Sequence, residues 1–152
     1  MLRLTTALAA LAALAIAAPA FSANEGVVKV GAELKGKNAE PGPGDPDGEG
    51  RITLFLKASK QRACFELRLE ALDAVTAARI HQGSADDQGP AKLVLFKDRA
   101  GLDGDGSYDG CIKKVKKGLL RSIARSPGSY YVNLYTNSYP QGAARGQLKP
   151  RG

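Results

Sequence analysis

The 152 residues include one histidine, two cysteines and no tryptophan. A lone His81 cannot build the copper or zinc sites that draw two or three imidazoles from one chain. No nucleophile motif accompanies it, so no Ser-His-Asp or Cys-His triad can be assembled. Its expected role is ordinary hydrogen bonding at a strand end. No catalytic residue, metal ligand or cofactor is therefore assigned. Beyond the first twenty-odd residues no apolar run is long enough for a membrane helix, and a soluble product is expected.

The N-terminus reads as an export leader. Arg3 supplies a positive start, an Ala/Leu-rich run from about Ala7 to Ala18 follows, and Ala18-Pro19-Ala20 offers small residues for cleavage. A cut after Ala23 would put bulky Phe21 at the third position back. Residues 1–23 are read as a signal peptide with its boundary at 20–23, and 24–152 as one domain. An uncleaved anchor is the alternative, and with no cysteine nearby a lipoprotein is not expected. The expected location is secreted or periplasmic. The formal charge of +7 falls to +6 when Arg3 leaves. Such a charge favours weak attraction to anionic polymers or lipid headgroups, and export removes nucleic acid as the natural partner.

Cys64 and Cys111 are expected to form a structural disulfide, since two thiols in an exported chain usually pair. Free buried thiols or a redox pair are the alternatives, and the wide spacing without C-x-x-C disfavours the latter.

Period-two alternation predicts strands at Gly26–Leu34, Arg51–Lys57 and Ala63–Glu70, where Ala63, Phe65, Leu67 and Leu69 oppose Glu66, Arg68 and Glu70. Further strands are expected at Val75–His81, Lys92–Phe96, Ser129–Thr136 and Ala144–Lys149. Gly36–Gly50 and Asp98–Gly110 are read as turn-rich, because proline denies ladder donors and glycine permits positive φ. Leu119, Leu120 and Ile123 mark a short helix near 117–125, ended by Ser126-Pro127-Gly128. Short strands punctuated by Gly and Pro predict a β-sandwich or barrel.

Three surface features are candidates for chemistry. Asp45, Asp47 and Glu49, and Asp103, Asp105 and Asp109, have the carboxylate density of calcium loops, but lack the closing glutamate and flanking helices of an EF-hand; Asp-Gly is also a common turn former. Lys113, Lys114, Lys116, Lys117, Arg121 and Arg125 form a basic run that is either a patch for anionic ligands or a solvated face anchored by Ile112, Val115 and Leu119. Tyr130, Tyr131, Tyr135 and Tyr139 could stack on sugars, though strand aromatics more often pair across strands.

Several segments recur in a family order. Gly44–Gly50 is acidic and glycine-rich. Ala78-Arg79-Ile80-His81-Gln82-Gly83 precedes Gly89-Pro90 and Leu93-Val94-Leu95. Tyr131-Val132-Asn133-Leu134-Tyr135-Thr136 precedes Pro140-Gln141-Gly142 and Arg145-Gly146-Gln147-Leu148. Together they resemble the CHRD domain, first described in chordin and found in bacterial exported proteins. The resemblance implies an all-β Greek-key or immunoglobulin-like sandwich or barrel, similar to Cu/Zn superoxide dismutase, without a settled activity. Where the family pattern carries histidines, this chain has Arg79 and Tyr135. Strand periodicity puts Arg79 and His81 on one face. The implied motif cluster is Arg79, His81, Asn133, Tyr135, Arg145 and Gln147. The resulting expectation is a non-enzymatic exported binding or structural module of the bacterial envelope or extracellular space. Its partner would be an anionic envelope polymer, a glycan or another exported protein. A dismutase-like metalloenzyme, disfavoured by the single histidine, and a calcium-dependent adhesin are the alternatives.

Overall fold

Apolar alternation places three successive strands in a meander: β1 (Val28–Lys35), β2 (Glu49–Lys57) and β3 (Arg62–Glu70). The computed structural model describes residues 26–152, except the side chains of residues 98 and 99. The leader reading of 1–23 and its cleavage boundary lie outside the described residues. In register, Ile52 faces Ala32 and Leu67, while Leu54 faces Val30 and Phe65. One row of side chains from each strand therefore enters a common core. The β2–β3 connection is a 3₁₀ turn over Ala58–Lys60, closed by Gln61 in the left-handed region at φ 49°.

The remaining strands are β4 (Val75–Gln82), β5 (Ala91–Leu102), β6 (Gly106–Ile112), β7 (Tyr130–Thr136), β8 (Ala144–Gln147) and the short β9 (Lys149–Pro150). They join one antiparallel sheet in the order β5-β4-β7-β8-β1-β2-β3-β6, with β9 also on β1. The β4–β7, β8–β1 and β3–β6 neighbours are distant in sequence. The sheet curls until its two ends approach, where the Phe65 ring of β3 lies 6.0 Å from that of Phe96 on β5. The result is an all-β, nearly closed barrel with a single short α-helix among the described residues. Leu34, Ile52, Leu54, Ile80, Val132, Leu134 and Leu148 fill its centre with no more than a trace of exposure. Each such side chain contributes roughly 1.5–3 kcal/mol.

The expected turn at Asp98–Gly110 is corrected: β5 continues to Leu102 and β6 begins at Gly106. β6 is an edge strand with no fully buried residue, so it carries no apolar row to announce it. The ladder to β3 and the Cys64–Cys111 disulfide hold it in place, with Tyr108 and Ile112 packed partly buried against the core. These cysteines are direct cross-strand partners with Cα atoms 4.0 Å apart. Gly110 permits this pairing, since a Cβ there would stand 2.8 Å from Cε1 of Phe65. The expected last strand is also divided. Leu148 turns into the core between β8 and β9, its N–H donating to the Tyr130 carbonyl at 2.9 Å.

The helix, α1 (Lys117–Arg125), packs Leu120 and Ile123 onto one end of the barrel. Its N-terminus has no side-chain cap and no acidic residue in the first turn; Lys116 and Lys117 stand there instead. Positive charge at that end opposes the helix dipole. Packing, not local electrostatics, therefore holds the helix.

Candidate functional site

β4, β7 and β8 are neighbours, and their even-numbered residues, Ala78, Ile80, Val132, Leu134 and Ala144, belong to the core. The odd-numbered residues of the same strands share the opposite face. This alternation brings Arg79, His81, Asn133, Tyr135, Arg145 and Gln147 together, with Tyr131 between them. Arg79 pairs with Asn133, and Asn133 with Arg145; His81 pairs with Tyr131, and Tyr131 with Gln147.

His81 stacks on Tyr131 with ring centroids 5.0 Å apart and planes within 12°. Its Nδ1 lies 2.8 Å from the Gly89 carbonyl. A carbonyl only accepts, so Nδ1 carries the hydrogen. The other nitrogen of the neutral ring is then an acceptor, taking the Tyr135 O–H at 2.7 Å. Burial pushes the imidazole pKa below its ordinary value; the Gly89 bond opposes this, and the Arg79 and Arg145 charges reinforce it. At neutral pH the ring is uncharged.

Two guanidinium groups flank this centre. Arg79 Cζ lies 4.6 Å from the Tyr135 ring centroid and Arg145 Cζ 3.4 Å from that of Tyr131. Arg145 is only 2% exposed. Its Nη2 donates to the Ser84 carbonyl at 2.6 Å. Stacking and a carbonyl, with the more distant field of the exposed Asp87 carboxylate, thus offset the charge of a buried arginine.

The cluster is covered by loops. Gln147 Nε2 donates to the Gly83 and Gly128 carbonyls, each at 2.7 Å, and the Gly89 N–H donates to the Tyr131 hydroxyl at 3.1 Å. Asn133 Nδ2 reaches the Gln141 carbonyl at 3.4 Å. Gly142 makes that crossing feasible: its φ is +147°, and a Cβ would stand 2.8 Å from Asn133 Nδ2. Asn133 Oδ1, Arg145 Nη1 and Gln147 Oε1 remain buried without a protein partner.

This donor set does not fit a copper or zinc centre. It offers one imidazole with both nitrogens engaged, a phenol, and two cations that repel a metal ion. Among the described residues no group of three or more His, Cys, Asp or Glu side chains could hold one. In the acidic turns the carboxylates serve the backbone. Asp45 Oδ1 accepts from the Asp47 N–H, Asp103 Oδ1 from the Asp105 N–H, and Asp105 Oδ1 from the Ala71 N–H. Glu49 pairs with Lys35 at 3.2 Å. Asp109 lies on β6, opposite Glu66.

The basic run lies at the α1 end of the barrel, away from the family cluster in the chain. Lys113, Lys114, Lys116, Lys117, Arg121 and Arg125 are exposed, while Val115 is buried and donates its N–H to the Gln61 carbonyl at 2.9 Å. That bond seats the run beside Lys60 and Arg62. No acidic residue follows Asp109 in the sequence.

Sequence reasoning missed the partners that complete the cluster: Tyr131 as its central ring, and the backbone of Gly83, Ser84, Gly89 and Gln141. The signal for Tyr131 was its odd register with His81. The loop carbonyls left none. Neither the curated proteins nor the solved structures contain a match to this chain. A family model described as the CHRD domain matches residues 30–148. That span takes in most of β1 and all of β2 to β8, and the chain belongs to the CHRD-domain family.

Proposed function

We propose that this chain is an exported CHRD-type module that binds through its surface and carries out no catalysis. The observation that carries the reading is the state of His81. Both of its nitrogens are occupied, one by the Gly89 carbonyl and one by the Tyr135 hydroxyl. The position that would hold a reactive imidazole instead fastens loop 83–90 to the sheet. Binding then falls to exposed features, and the basic run is the strongest of these. Its ligands are anionic components of the bacterial envelope or extracellular space, reached by screened electrostatics.

Two measurements test the proposal. Protein recovered outside the cytoplasm should begin between Phe21 and Asn24. The purified protein should bind an anionic polysaccharide such as dextran sulfate, weakly at high salt, and lose that binding when Lys113, Lys114, Lys116 and Lys117 are changed to glutamate. Binding unchanged by that reversal would return the run to plain solvated surface. Stoichiometric copper or zinc, with superoxide dismutation lost in His81→Ala, would replace the proposal with a metalloenzyme.

A further inference from the structure

The α1 end of the barrel holds an apolar groove of about 470 Å³, large enough for an acyl chain. Val28 of β1, Leu56 of β2, Ala58 of the following turn, and Leu120 and Ala124 of α1 line it. Arg121 and Arg125 stand on its rim. Val28 is 40% exposed, and Val27, its chain neighbour between the lining residues Gly26 and Val28, is 50% exposed. Lys60 and Arg62 flank Gln61, whose carbonyl accepts from the Val115 N–H, and Lys116 and Lys117 begin α1; all four are exposed.

We propose that this end docks on an anionic lipid bilayer, with the groove and the two valines entering the headgroup region and the surrounding cations meeting lipid phosphates. The inference rests on reading the basic run as a binding face and names its ligand. Charge complementarity alone would serve a soluble polyanion equally well. The apolar groove decides between them, because a sulfated or phosphorylated polymer has nothing to place in it. A bilayer has both components, and each basic residue near an anionic surface adds to the attraction. The lysines at the start of α1 fit the same reading: they oppose the helix dipole, yet they lie where the face needs charge.

The chain contains no tryptophan, so Val28→Trp gives a single fluorescent reporter at the groove mouth. Titration with vesicles of phosphatidylcholine plus phosphatidylglycerol should blue-shift its emission, and pure phosphatidylcholine should not. Raising the salt should weaken binding steeply. Arg121→Glu with Arg125→Glu should weaken it at least about tenfold. Ala124→Glu, which puts a carboxylate in the groove, should abolish the blue shift. Each variant is made in the exported protein that begins between Phe21 and Asn24, so the apolar leader contributes nothing to vesicle binding. Binding to both vesicles and dextran sulfate without a blue shift, and with Ala124→Glu indifferent, would overturn the lipid inference and leave the basic face standing. Failure to bind either probe would remove both. A concentration-dependent blue shift without vesicles would assign the groove to a second copy of the chain and overturn the inference.

Discussion

Removing the disulfide with Cys64→Ala and Cys111→Ala should lower stability by about 4 kcal/mol. The bridge closes a loop with a sequence separation of 47. In the chain-entropy treatment, a loop of that length costs the unfolded chain about 4 kcal/mol of freedom when bridged. The substitution is favourable for isolating this effect, because Cys111 is exposed and Cys64 only half-buried, so little cavity is created. Against a typical domain stability of about 5–15 kcal/mol, the loss is large. Urea unfolding of the oxidised, the reduced and the doubly substituted protein should therefore show a much lower midpoint for the latter two. Amide exchange should locate the second consequence. β6 has no fully buried residue and pairs only with β3, so amides 107–112 should lose protection before the rest of the sheet. Early release of β6 would make the global loss smaller than the loop calculation. A loss under about 1 kcal/mol with β6 protection unchanged would refute the reasoning, since the denatured chain would then already hold β3 and β6 together.

His81 gives the fold a pH dependence of known sign. Unfolded, it takes a proton near pH 6.5; folded, burial and the two arginines delay protonation to lower pH. Between those points the unfolded chain binds more protons, so stability present above about pH 6.5 is lost as pH falls through the folded value. Thermal melts from pH 7.5 to about 5 should show the decline, and His81→Gln should flatten it; an equal slope in the variant would assign the effect to other groups. Arg145→Lys should lose about 1–2 kcal/mol in urea unfolding, because an ammonium cannot both stack flat on Tyr131 and reach the Ser84 carbonyl. A change within about 0.5 kcal/mol would mean that the guanidinium plane is not needed. Lys116→Ser should raise stability by about 1 kcal/mol, by adding an N-cap and removing an opposed charge, while weakening attachment to anionic vesicles. Both quantities moving the same way would contradict the view that this lysine serves the face at the helix's expense.

The meander β1–β3 was legible because one face of each strand is apolar and the other polar, as in Ala63–Glu70. Residues 117–125 were legible as a helix through Leu120 and Ile123. The disulfide was legible from the cysteine count together with the export reading of the N-terminus. β6 was not legible, because an edge strand held by a ladder and a disulfide needs no apolar row, and its glycines and aspartates read as turns. In β7 the period is present, but it does not say which face is inside: Tyr131, Asn133 and Tyr135 are as buried as Val132 and Leu134. Loops 83–90 and 137–143 bury the second face through backbone carbonyls, which every residue possesses and no sequence pattern marks.

That second buried face bears on where function lies. The segments around His81, Asn133 and Arg145 that carry much of the family resemblance meet here: His81 stacks on Tyr131, Arg145 covers it, Gln147 binds the loop after β4, and Gly142 makes room for the Asn133 amide. These contacts hold loops to the barrel, and the loops in turn bury Asn133 and Arg145 and half-bury His81 and Gln147. Their chemistry is thus directed inward, to the architecture that members of a family must share. The exposed cations around α1 and the groove beneath them belong to none of those segments. Lys116 and Lys117 even stand against the dipole of the helix they begin. A surface feature that opposes local stability, in a protein whose family motif already accounts for its fold, is the natural place for this chain's own binding. On that argument, charge-removing variants around α1 should weaken what the protein attaches to and leave the melting temperature unchanged or higher, as for Lys116→Ser. Variants around His81 should do the reverse.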